Sequence, residues 1–152
     1  MPNIFIIIGD QNTRKSSTIR ALTGVGRERE IAVATLTQTI SVFAKVSSLQ
    51  EADILPQDFI TSVQGHNYDN ILVSLRIAEI VGRNGTRYPI GQTYIQEFVN
   101  VGWNIAEVVV LGNNILPYPL PAVAPALNSI ANSTNIPVNQ ISTTIKNWWN
   151  WI

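Results

Sequence analysis

The chain has 152 residues, 45% of them apolar, which is enough to bury a sizeable core. Lys plus Arg and Asp plus Glu number 10 each, so no net field draws it toward nucleic acid or anionic lipid, and a globally basic nucleic-acid binder is excluded. Cysteine is absent, which removes disulfides, thiolate zinc sites and cysteine nucleophiles together.

Ile4 to Ile8 is a continuous β-branched and aromatic run, the pattern of a strand buried on both faces of a parallel sheet. It is too short for a signal peptide or a membrane span, no later run reaches membrane length, and the chain reads as cytoplasmic. After the run come Gly9, five residues and then Lys15-Ser16. Ile19 and Leu22 recur at helical spacing and Gly24 is a stop, so a helix is expected over 15–23. The charges of Arg27 to Glu30 read as a solvated connection. Ile31 to Thr35 and Ile40 to Val46 are β-rich runs only four residues apart, too close for a parallel crossover, and so form a hairpin.

Pro56 suits a first helical turn, and Phe59, Ile60 and Val63 give that helix an apolar face ending near Gly65. Ile71 to Leu75 is a further buried-type strand. Arg76 to Pro89 reads either as a hairpin turning at Asn84-Gly85 or as a loop. Tyr94, Ile95, Phe98 and Val99 mark a helix stopped at Gly102, and Glu107 to Leu111 is another core strand. Residues 113–125 hold four of the eight prolines and suggest an extended crossing or a broken helix start. From Val138 onward Ile141, Ile145, Trp148 or Trp149, and Ile152 share a helical stripe. Alternating strands and helices of this kind predict a sheet with helices on both faces. His66 is the only histidine, and no metal-ligand cluster or nucleophile elbow is legible.

The segment 9–16 matches the pattern G-x-x-x-x-G-K-[ST] with one departure, Arg14 in place of the second glycine. Over about ten residues it resembles the phosphate loop of the P-loop nucleoside-triphosphatase superfamily, and the order of elements is weakly similar as well. The resemblance implies a three-layer α/β/α P-loop NTPase-like fold, one domain over 1–152. Its sheet would be mainly parallel, with about five strands and one antiparallel hairpin strand. It also implies that Gly9, Asp10, Gln11, Asn12, Thr13, Arg14, Lys15, Ser16 and Ser17 wrap a nucleotide. Lys15 would neutralise the outer phosphates and Ser16 would bind Mg²⁺ carried with ATP. By analogy with small kinases, Arg76, Arg83 and Arg87 lie on a lid-like segment where they would stabilise a transferred phosphoryl group; otherwise they solvate a loop.

Two departures weigh on catalysis. Arg14 brings a Cβ to a position suited to glycine, where a positive φ costs on the order of 1 kcal/mol. Ile71 to Arg76 offers only Ser74 where an acid should hold Mg²⁺, leaving Glu51, Asp53 or Asp10 for that role. GTP is disfavoured, because Leu111 to Asn114 and Val46 to Leu49 lack the expected Asn-Lys-x-Asp and Asp-x-x-Gly. The expected function is therefore a small ATP-dependent phosphotransferase or NTPase. The alternative is a catalytically degenerate domain, a regulatory or assembly module whose Trp148, Trp149 and Trp151 form a dimer or partner surface.

Overall fold

The computed structural model describes residues 1–112 and 127–152; the proline-rich stretch lies outside them. In chain order the elements are β1 (Asn3–Gly9), α1 (Lys15–Thr23), β2 (Arg29–Ala34), β3 (Thr39–Ser48), α2 (Pro56–Gln64), β4 (Asn70–Leu75), β5 (Ile80–Val81), β6 (Arg87–Tyr88), α3 (Gly91–Asn100), β7 (Asn104–Leu111), β8 (Leu127–Ile130) and α4 (Val138–Trp149). A single 3-10 turn at Ser133–Asn135 separates β8 from α4. Among the described residues the main sheet runs β2-β3-β4-β1-β7-β8, with only β2 antiparallel to its neighbour. The protein is thus α/β, with a mixed, mostly parallel sheet.

Strands β1 and β4 sit at the centre because nearly all their side chains are apolar and both of their faces must be covered. Even residues of β1 (Ile4, Ile6, Ile8) pack with Phe59, Ile60, Tyr94 and Phe98 of α2 and α3. Odd residues (Phe5, Ile7) pack with Ile19 and Leu22 of α1 and with Ile141, Ile145 and Trp149 of α4. The period of two along the strand thereby separates two cores, and the helices form two outer layers.

These layers fix where the connections of the sheet diverge. Helix α1 leaves β1 on one face and the chain passes beyond β4 to reach β3; α3 leaves β4 on the other face and passes beyond β1 to β7. Neighbouring strands whose connections depart to opposite faces leave a crevice at their carboxyl ends. Here Gly9 and Leu75 stand at the carboxyl ends of the two strands where the connections diverge.

Among the described residues the main sheet has six strands rather than about five. The added one, β8, is only Leu127–Ile130 and has no β-branched run; it is defined by its pairing with Val108 to Leu111 of β7 rather than by its own composition. Between Arg76 and Pro89 the hairpin alternative holds. Strands β5 and β6 pair antiparallel, and Gly85 takes φ 79° at the turn. No helix among the described residues is long and apolar enough to cross a membrane.

Two of the three clustered tryptophans belong to the core. Trp149 and Trp151 are 5% and 4% exposed, with ring centroids 5.1 and 5.2 Å from Phe5. Trp148 is half-buried at its edge. Trp149→Ala is expected to cost about 3–5 kcal/mol in urea unfolding, through lost burial and a residual cavity. Trp148→Ala should cost less than about 2 kcal/mol in the same measurement. Equal losses would contradict this division.

Candidate functional site

The turn from β1 into α1 is built on a close approach that only glycine permits. A Cβ at Gly9 would meet the carbonyl oxygen of Leu111 and Oγ1 of Thr13, each at 2.6 Å. Beyond Gly9 the chain curls, with Asn12 and Arg14 both in the left-handed region at φ 63° and 73°. Arg14 is also the residue that precedes the first helical turn of α1. It therefore holds the backbone conformation that glycine adopts without steric cost, a strain of about 1 kcal/mol. Left-handed Arg14 followed by right-handed Lys15 points successive N–H groups to one side, the geometry of an anion nest.

Those donors are open. The first backbone bond of the helix is Thr18 N–H to Arg14 O at 2.9 Å; Gln11 and Asn12 form a hydrogen-bonded turn after Asp10, and the N–H groups of residues 14–17 donate to no partner among the described residues. They border a cavity of about 490 Å³ lined by Gln11 to Ser17 together with Glu51 and Thr134. The positive end of α1 points into the same space.

Lys15 is the centre of the site. It is only 6% exposed, and Nζ donates to the main-chain oxygen of Asp10 at 2.7 Å, folding the side chain back along the loop. Thr13 Oγ1 donates to the same oxygen at 2.8 Å, bracing the curl. Burial lowers the Lys15 pKa from its ordinary value. Glu51 and Asp10 raise it, and Arg76 adds to the lowering. Ser16 Oγ donates to Val46 O at the end of β3 at 3.3 Å, and Ser17 is exposed on the cavity side.

The Arg14 guanidinium reaches outward, donating from Nη2 to Thr134 O at 3.0 Å. This ties the loop to the 3-10 turn across the mouth of the cavity. Of the three lid-segment arginines, Arg76 alone lies close enough to Lys15 to act on its charge. Its backbone is fixed by the fully buried Gln50, which accepts from Arg76 N–H at 3.0 Å and donates to Arg76 O at 2.8 Å. Arg83 is exposed on the β5–β6 turn, and Arg87 pairs with Glu79 at 3.0 Å on the same hairpin; neither lines the cavity.

Among the acids, Glu51 lines the cavity, whereas Asp53 lies toward Gly82 of the hairpin. Ser74 is fully buried at the end of β4, in register with Ser48 and Ile7. Thr134 and Gln50 escape a reading of the sequence. Thr134 is 120 residues from Arg14, and Gln50 carries no pattern beyond being an uncharged amide.

His66 sits past the end of α2, with Nδ1 2.8 Å from Ser62 O and its ring stacked on Tyr68. Comparison of the chain with protein-family models, with curated proteins and with solved structures returns no match.

A buried ammonium whose pKa is lowered makes stability depend on pH. Between that lowered value and 10.5 the unfolded chain binds more protons at this residue, so stability rises with pH through the window. In urea titrations below pH 10, native protein should show this rise, and Lys15→Met should lack it. Coincident curves would mean that burial does not act on Lys15.

Proposed function

We propose that the chain binds a nucleoside triphosphate through Gly9 to Ser17 and acts as a small ATP-dependent phosphotransferase or NTPase. The observation that carries the reading is the run of open N–H groups, residues 14–17, beside a cavity with the Lys15 ammonium next to it. Backbone donors, a helix N-terminus and a buried cation together favour a polyanion over any neutral ligand. Glutamine, asparagine, threonine and serine line the rest of that cavity, so phosphate oxygens would find donors on several sides.

Lys15 would leave the Asp10 carbonyl for the phosphates, a stronger, charge-assisted acceptor. Arg76 beside it would add charge during transfer. Ser16 would place its hydroxyl on Mg²⁺ delivered with the nucleotide. No group of three His, Cys, Asp or Glu residues able to hold a metal occurs among the described residues, so the cation would depend on phosphate oxygens for most of its ligands. ATP is favoured over GTP because the guanine-reading Asn-Lys-x-Asp is missing after β7. The alternative of an assembly module built on the tryptophan cluster has less surface to work with, since Trp149 and Trp151 are buried.

Thermal unfolding with ATP, GTP and ADP, each with and without Mg²⁺, tests the reading. ATP at about 100 times its Kd should stabilise native protein by about 2.7 kcal/mol, a Tm rise of about 5–10 °C for a domain of this size. Lys15→Ala should remove the shift. No shift with any nucleotide would overturn the proposal, and one that survives in Lys15→Ala would move the site elsewhere.

A further inference from the structure

We propose that Glu51, on the turn after β3, positions the divalent cation of a bound triphosphate together with Ser16, in place of an acid at the end of β4. The inference rests on the nucleotide reading above and assigns a residue that reading leaves open. Strand β4 lies beside β1 in the sheet. At its end Ser74 is 0% exposed, and its Oγ has no hydrogen-bond partner among the described residues. A neutral, enclosed hydroxyl cannot supply the anionic oxygen that a hard cation requires. Any carboxylate for this role must enter from another element.

Among the described residues Glu51 is the one acid that lines the cavity, and Asp10 and Asp53 do not. Its turn is fastened on several sides. Leu49 N–H donates to Ser74 O at 3.2 Å, Glu51 N–H to Ser48 Oγ at 3.2 Å, Ala52 N–H to Ser48 O at 3.0 Å and Ile54 N–H to Leu49 O at 2.9 Å. Gln50 anchors the same turn to Arg76 and to Pro89 O. The backbone under Glu51 is thus rigid, while its side chain is exposed and makes no ion pair among the described residues.

Ser16 is tied to the same stretch of chain, since its Oγ donates to Val46 O, just before that turn. One hydroxyl and one carboxylate line the same cavity as Lys15, and both carry hard-oxygen donors. Mg²⁺ is commonly bound by one or two carboxylates with substrate phosphates and water completing the shell. Without a cation the Glu51 carboxylate would repel the phosphates; with one it becomes a ligand. The proposal therefore predicts that Mg²⁺ changes the affinity for ATP through this residue.

Calorimetric titration of ATP into native protein, Glu51→Gln and Asp53→Asn, each with and without Mg²⁺, decides the matter. Native protein and Asp53→Asn should bind ATP about tenfold more tightly with Mg²⁺. Glu51→Gln should lose that gain while binding metal-free ATP at least as tightly as native protein, because a like charge has been removed. Paramagnetic resonance of Mn²⁺ with ATP should show the matching loss of protein-bound metal in Glu51→Gln, and Glu51→Asp should recover part of it. A full Mg²⁺ gain in Glu51→Gln would overturn the role of Glu51 and leave nucleotide binding intact. Absence of ATP binding to native protein in either condition would instead overturn the nucleotide reading, and this proposal with it.

Discussion

The arrangement around Asp10, Lys15 and Gly9 depends on keeping a positive charge inside the protein. An ammonium 6% exposed is expensive to desolvate, and here the cost is met by one carbonyl oxygen and by the acids near it. The curl of the loop, the left-handed residues and the brace from Thr13 all serve to bring that carbonyl to Nζ. A loop shaped this way also leaves the N–H groups of residues 14–17 without an acceptor among the described residues. Holding the cation and exposing the donors are two results of a single backbone path.

Much of the fold was legible because its central strands are extreme in composition. Ile4 to Ile8 and Ile71 to Leu75 can be buried only on both faces, and helices with stops at Gly24 and near Gly65 and Gly102 follow from spacing. The antiparallel β2 followed from the short gap before β3. Strand β8 was not legible. Leu-Asn-Ser-Ile has no β-branched centre, and its partner β7 supplies the order that its own residues lack.

For the site, the residues contiguous in sequence were legible and those that converge from afar were not. Gly9 and Lys15-Ser16 mark a strand-to-helix loop by spacing alone, and Lys15 and Ser16 do line one cavity. Nothing in the spacing tells that Arg14 would turn toward Thr134, or that Gln50 would fasten the backbone of Arg76. Nor does it separate Arg76 from Arg83 and Arg87, which the hairpin carries away from the cavity. Such contacts depend on which strands become neighbours, a property of topology rather than of local pattern.

That topology also bears on the order in which the molecule can assemble. Strand β1 pairs with neither strand of the hairpin that follows α1 but with β4 and β7, and Asn3 is hydrogen-bonded to both Asn70 and Asn104. Until residue 104 has been made, the most apolar strand of the chain is lined on at most one side. Such non-local closure is slow, and an unpaired β-branched run is prone to join other chains meanwhile. The Gly9 turn, shaped against Leu111, forms only when that gap closes. Any anion it holds would then act on the last step of folding, favouring the assembled sheet over the waiting strand.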